Sequence, residues 1–229
     1  MPTIDFQGAS VTYDGTTVLE PLTARLTEQR IGIIGSNGSG KSTTVRMING
    51  LIEPTTGQVL YDDLSPAKHG RDIRKRVGFV FSDAESQIVM PRVVDDVAFS
   101  LRRFKLPRNE VRSRVDDALA RFGLSHLAEN SPHTLSGGEK QMLALASVLV
   151  IEPDTIIADE PTTLLDLRNR RRIVRELMAL DQQLIVVTHD LEMLRDFDRV
   201  LVIDDGQLVY DGAPSEAIAF YTDLMDAKP

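Results

Sequence analysis

Gly35-Ser36-Asn37-Gly38-Ser39-Gly40-Lys41-Ser42, followed by Thr43, fits the pattern G-x-x-x-x-G-K-[ST] of a phosphate-binding loop. The apolar run Ile31-Gly32-Ile33-Ile34 stands just before it and predicts a buried strand. An amphipathic run from Lys41 to Leu51 follows and predicts a helix. The motif therefore has the context that its chemistry requires, strand, then glycine loop, then helix. Glycines leave backbone N–H groups free to face phosphate oxygens, and the helix N-terminus adds its positive dipole. Lys41 is expected to reach the β- and γ-phosphates, and the Ser42 hydroxyl to ligate Mg²⁺. A glycine turn carrying a surface lysine is the plainer reading, but it requires neither the strand nor the helix.

Around this loop the chain reads as an α/β core with an insertion. Thr3 to Tyr13 alternates as a strand pair broken at Gly8, and Asp14-Gly15 signals a turn. Leu22 to Leu26 is a half-buried strand, Gln58 to Tyr61 a short one, and Val77 to Phe81 a buried one. From Asp83 to Glu152 the spacing becomes helical, as in Val94, Val97, Ala98, Leu101 and Phe104. Pro107 and Gly123 interrupt that stretch. Strand and helix signals return with Ile156-Ile157-Ala158, a helix over Asp166 to Ala179, and the strand Leu184 to Val187. A hairpin across Asp205-Gly206 and a helix from Pro214 to Met225 close the pattern. The expected organisation is a core made of residues 1–82 and 153–229, with a helical subdomain at 83–152.

Other residues supply candidate chemistry. Asp159 and Glu160 follow a buried strand at its C-terminal end, where ligands of open α/β sheets sit. Asp159 would hold the Mg²⁺ shell and Glu160 would act as general base towards water. Two solvated acids leaving the core would give the same pattern without a ligand. Ser136-Gly137-Gly138, at a predicted helix start, reads as a second anion site, compatible with Ser136 serving as N-cap. Two such sites suggest a terminal phosphate gripped from two sides. His189 also follows a buried strand and joins the candidate site. Tyr13 either stacks on an adenine or caps a hairpin. His69, His126 and His133 have no ligand-like spacing.

Composition limits the function classes. Hydrophobic content of 42% and charged content of 26% are those of a globular protein. The net charge of −8 argues against a general nucleic-acid partner, and the arginines from Arg168 to Arg175 spread round a helix as a solvated face. With no cysteine, disulfides and thiolate metal sites are excluded. The longest apolar run, Met142 to Ile151, falls short of the about 20 residues that span a bilayer. Met1 to Phe6 shows no basic stretch leading into an apolar one, so no signal peptide is expected.

The P-loop, Leu135-Ser136-Gly137-Gly138-Glu139, Asp159-Glu160 and Thr188-His189-Asp190 stand in one order that resembles the ATP-binding cassette (ABC) ATPases over nearly the whole chain. The resemblance implies the fold of that family, a P-loop core with a mixed sheet, an antiparallel β subdomain and an inserted helical subdomain. It implies a head-to-tail dimer with a second ATPase subunit, identical or related. Each ATP would lie between the P-loop of one subunit and the Ser136–Gly138 stretch of the other. It favours Tyr13 as the adenine-stacking residue, Glu160 as base and His189 as γ-phosphate sensor, and it matches Asp166 to the acidic residue of the D-loop. Val77 to Phe81 with Glu85, Gln87 and Ile88, and Gly138 to Gln141, look most like the ATPases of energy-coupling factor transporters. Pro161 to Asn169 looks most like the biotin-transporter members. That kinship implies a transmembrane coupling protein, a substrate-binding membrane protein, and a place on the cytoplasmic face of the membrane. A cobalt, nickel or amino-acid importer, or a soluble protein using ATP-driven dimerisation, are the rival expectations. Two positions depart from the family: Ser82 stands where a Gln usually contacts Mg²⁺ and the attacking water, and Ala84 where Pro usually opens the Q-helix.

Overall fold

The computed structural model describes residues 1–163 and 165–228. In chain order its strands and α-helices are β1 (Ile4–Tyr13), β2 (Thr16–Leu26), β3 (Arg30–Ile34), α1 (Lys41–Ile48), β4 (Thr56–Tyr61), α2 (Pro66–Arg76), β5 (Val77–Val80), α3 (Ala84–Gln87), α4 (Val93–Leu101), α5 (Arg108–Arg121), α6 (Gly137–Leu149), β6 (Thr155–Asp159), α7 (Leu167–Met178), β7 (Gln183–Val187), β8 (Arg199–Asp204), β9 (Gln207–Gly212) and α8 (Pro214–Asp226). The chain forms two compact units. One holds residues 1–77, 154–160 and 181–229, and the other residues 78–153 and 161–180.

The first unit contains both sheet types. β2, β1 and β4 pair antiparallel in that order. β1 is one continuous strand rather than the expected pair: Gly8, at φ +60, makes a bulge that shifts the register between Phe6 and Ala9. The second sheet runs β6-β7-β3-β8-β9. Its first four strands are parallel and β9 returns antiparallel. Ile156–Ala158, Leu184–Val187, Ile31, Ile33, Ile34 and Val200–Ile203 are all buried, as parallel strands covered on both faces must be. Val187 is in register with both Asp159 and Ile33. The residues after β3, β6 and β7 therefore emerge at one edge, which sets the phosphate loop, Glu160 and His189 side by side.

Helix α1 stops at Ile48, short of the expected Leu51, because Gly50 takes a left-handed φ of +70 and Leu51 N bonds back to the Arg46 carbonyl. α2 was not signalled by the sequence. Only Pro66, Gly70 and Ile73 of it are buried, too few to impose a clear period.

In the second unit α6 is the central element, buried from Gln141 to Leu149. α4 contributes Val93, Val97 and Leu101, and α5 contributes Val115 and Leu119. Asp96 is buried among them and is satisfied by the backbone N–H of Val89 and Met90 and by the Ser147 hydroxyl, at 2.8, 3.1 and 3.0 Å. That carboxylate fixes the segment between α3 and α4.

Candidate functional site

The phosphate loop is shaped by glycine where nothing else fits. A side chain at Gly35, whose φ is +154, would lie 1.8 Å from the Ile203 carbonyl oxygen. Gly40 precedes α1 at φ +100, and a Cβ there would approach the Val18 carbonyl to 2.9 Å. α1 has no side-chain N-cap and no acidic residue in its first turn. Its N-terminal N–H groups therefore face the loop without a protein anion to answer them. Lys41 lies over the loop and donates to the carbonyls of Gly35 and Ser36, at 2.9 and 2.8 Å. Burial pushes its ammonium below the usual lysine range, while Glu160 and Asp159 pull it back up. The Ser39 hydroxyl is buried without a partner among the described residues. An orphaned hydroxyl, an uncapped helix and a lysine resting on carbonyls suit an incoming polyphosphate.

Asp159 ends β6 with its side chain 3% exposed. Its Oδ1 accepts the Ser42 hydroxyl at 2.8 Å and its Oδ2 accepts Arg46 at 3.1 Å. A hydroxyl beside one carboxylate fits Mg²⁺, which takes one or two protein oxygens and fills its shell with phosphates and water. Among the described residues no group of three or more His, Cys, Asp or Glu would hold a metal through protein ligands alone. Glu160, next along, sits at φ +53, a conformation that a non-glycine residue adopts at a cost. Its backbone N–H bonds to the Val187 carbonyl at 2.8 Å, which anchors the turn to the neighbouring strand. Its Oε2 lies 2.8 Å from Nδ1 of His189, whose side chain is 67% exposed. β6 and β7 thus bring together the base candidate and the histidine. Tyr13 ends β1 opposite Thr16 and is 48% exposed, an open aromatic face at the hairpin.

The second unit carries the other candidates. Ser136 caps α6 in a reciprocal box: Glu139 N donates to its Oγ, while its own N and Oγ donate to Glu139 Oε2 at 2.8 and 2.6 Å. These bonds from Ser136 hold the Glu139 carboxyl below the usual range. Asp166 caps α7 through Asn169 N at 2.8 Å and also accepts the Asn169 side chain at 2.9 Å. A Cβ on Gly138 would strike the Asn169 side chain at 2.3 Å, so Gly138 and the Asp166 cap meet across Asn169. Ser82 follows β5 and is half-buried. Gln87 in α3 folds back on β5, with Oε1 accepting Phe81 N at 3.1 Å and Nε2 donating to the Phe79 carbonyl at 3.3 Å. Of the stretch Pro161 to Asn169, likened above to the biotin-transporter members, Leu164 lies outside the described residues.

The sequence model of the ABC transporter family matches residues 22–163. The chain belongs to the ABC transporter ATP-binding family. It is an ATPase of that family, and nucleotide binding follows from the membership. The biotin transport ATP-binding protein BioM of Rhizobium etli is 46% identical over 221 residues, covering 96% of this chain and 98% of that one. The energy-coupling factor transporter ATP-binding protein EcfA1 of Caldanaerobacter subterraneus is 43% identical over 194 residues, or 82% of this chain and 70% of that one. Among solved structures, cbiO1 from Clostridium perfringens, part of the ABC transporter complex cbiONQ, superimposes with a TM-score of 0.83 at 33% identity, covering 97% of this chain and 93% of that one. The fold matches the expectation for the family: a P-loop core with a mixed sheet, an antiparallel β subdomain and an inserted helical subdomain.

Two further residues of this ABC ATPase touch the site without belonging to any motif. Arg46 reaches Asp159 from α1. Asp204, at the end of β8 and 7% exposed, accepts the Ser36 hydroxyl at 3.2 Å and Lys228 at 2.8 Å. Each contact spans more than a hundred residues or joins groups that look like ordinary surface charge, so spacing along the chain carries no trace of it.

Proposed function

We propose that this ABC ATPase powers an energy-coupling factor importer whose cargo is biotin. The observation that carries the ATPase chemistry is the Ser42–Asp159 contact at 2.8 Å beside the Glu160–His189 pair. ATP would place its phosphates on the N–H groups at the start of α1, with Lys41 moving from the loop carbonyls to the β- and γ-phosphates. Ser42 and Asp159 would hold Mg²⁺, and the bound ion supplies charge to the developing phosphate oxygens. Ser82 would reach the same shell only through water, being shorter than the usual Gln. Glu160 would take the proton of the attacking water, and His189 would sense the γ-phosphate. Tyr13 would stack on the adenine. Rate would come from positioning and charge rather than covalent catalysis.

The site is read as one half of a pair. Ser136–Gly138 of a second ATPase subunit, with Asp166 at its edge, would close over the γ-phosphate. No helix among the described residues is long and apolar enough to cross a membrane. The importer reading therefore needs a transmembrane coupling protein and a substrate-binding membrane protein, with this chain peripheral on the cytoplasmic face. In the second unit Glu85, Ile88, Val89, His133 and Lys140 line a cavity of about 270 Å³, and Val89 is 62% exposed. A pocket lined by both apolar and charged side chains supports this segment as the contact for the membrane partner.

The cargo reading rests on the likeness to BioM. It is tested by co-expressing the chain with its host's candidate membrane proteins, purifying the assembly in detergent, and titrating labelled biotin. Biotin should bind the assembly and not the ATPase alone. Recovery of the chain without any membrane protein would remove the transport reading. An assembly that takes up cobalt or nickel instead of biotin would move the cargo.

A further inference from the structure

We propose that Arg46 is a positioning residue that keeps divalent metal off Asp159 until a nucleotide arrives. The inference rests on reading Ser42 and Asp159 as the metal-holding pair. Arg46 follows Ser42 by four residues on α1, so both side chains lie on one helix face, one turn apart. They share a single buried carboxylate: Ser42 takes Oδ1 at 2.8 Å and Arg46 takes Oδ2 at 3.1 Å. The Arg46 Nε is buried without a partner among the described residues. The only ion pair found for the guanidinium among those residues is with Asp159. The Arg46 side chain is 37% exposed and that of Asp159 3%, so the cost of desolvation falls mainly on the carboxylate, which the guanidinium answers.

The charges nearby balance. Lys41 feels both Glu160 and Asp159. Arg46 is paired with Asp159, and His189 stands on Glu160. Two fixed cations thus face two carboxylates. A free divalent ion would meet no surplus negative charge and would have to displace or approach a guanidinium. Mg²⁺ also gives up its water reluctantly and needs more oxygen donors than one hydroxyl and one carboxylate. ATP brings both the missing oxygens and the missing charge. Metal and nucleotide would therefore enter as one, and Arg46 would leave Oδ1 as the open face of Asp159. Removing the cation leaves a buried carboxylate without its ion-pair partner, and a unit charge that close alters divalent binding by at least about tenfold, the size it has at a water-like dielectric.

The test measures Mn²⁺ binding to the nucleotide-free chain by electron paramagnetic resonance, at constant ionic strength. The wild type should bind only in the millimolar range. Arg46→Gln should bind at least about tenfold more tightly, Arg46→Lys should behave as wild type, and Asp159→Asn added to Arg46→Gln should erase the gain. Sub-millimolar binding by the wild type alone overturns the proposal, whether or not any variant folds. So does unchanged or weaker binding in a folded Arg46→Gln chain, with folding checked by its melting transition. Failure of the underlying reading would look different: Ser42→Ala and Asp159→Asn would leave Mn²⁺·ATP binding untouched.

Discussion

Asp159 is tied to Ser42 and Arg46, 117 and 113 positions away, whereas Ser136 and Asp166 are each tied to a residue three positions away. The first region exists only when β3, α1, β6 and β7 have assembled, since each supplies one piece of it. The second is built by the ends of α6 and α7 from their own first turns. Long-range bonds inside a sheet core give a preset geometry, so on the proposed reading the first unit would receive a nucleotide with little rearrangement beyond the Lys41 side chain. A self-satisfied cap is different. The Ser136 hydroxyl already donates to Glu139 at 2.6 Å, so a phosphate gains it only by replacing a carboxylate. On the proposed reading the phosphate side would be prepared to bind, and the signature side would respond to a partner.

The largest effect should come from separating binding from turnover. Glu160→Gln removes the proton acceptor while keeping size and polarity, and should lower hydrolysis by at least about a hundredfold. ATP affinity should hold, and the variant should elute as a closed dimer with ATP in size-exclusion chromatography. Retained hydrolysis would take Glu160 out of its role and would leave His189 as the only titratable neighbour in the pair.

Ser136→Ala probes the other region. ATP hydrolysis by the assembled protein should fall about tenfold, in line with loss of one hydrogen bond to a charged group. Nucleotide affinity of the isolated chain, measured by fluorescence titration, should stay as it was. Loss of the cap should also lower stability by about 1 kcal/mol. If the isolated chain loses ATP affinity together with turnover, the two regions do not divide the work as their contacts suggest.

The contrast also explains what the sequence discloses. The P-loop, Asp159-Glu160 and Ser136–Gly138 are contiguous motifs next to apolar runs or helix starts, and local chemistry explains them. Arg46 is invisible by the same reasoning: in an amphipathic helix it reads as a solvated cation, and its partner lies at the end of a strand 113 positions away. Asp204 looks like part of a hairpin turn, although it is buried against Ser36. Gln87 stands in a stretch that resembles the Q-helix, but nothing in that stretch says that its amide closes on the backbone of Phe79 and Phe81. α2 leaves no sequence signal, because a run of charges with three buried positions has no period to detect.

Ser82→Gln restores the longer amide at the position after β5. Steady-state hydrolysis should rise several-fold, and the Mg²⁺ concentration for half-maximal rate should fall. The substitution separates the two regions again, because a gain in rate without any change in ATP affinity would place the limit on water and metal positioning. An unchanged rate with an unchanged Mg²⁺ dependence sinks the idea that Ser82 weakens the link.

Glu139→Gln should have the smallest effect and is the most selective. Glutamine can still accept from the Ser136 N–H and hydroxyl, so the box survives while its charge goes. The Glu139 carboxyl is held below the usual range by those Ser136 bonds, so it is anionic at neutral pH. Its contribution to α6 is present above the unfolded-state value and is lost as pH falls through the depressed one. Removing the charge costs α6 the favourable dipole interaction, about 0.3–1 kcal/mol. In the proposed dimer it would also remove an anion from the surface that a second subunit's γ-phosphate approaches. Measured in the Glu160→Gln background, the ATP-closed dimer should therefore tighten, more at low salt than at high salt. A looser dimer, or one indifferent to salt, would mean that Glu139 helps the phosphate as a cap and does not compete with it.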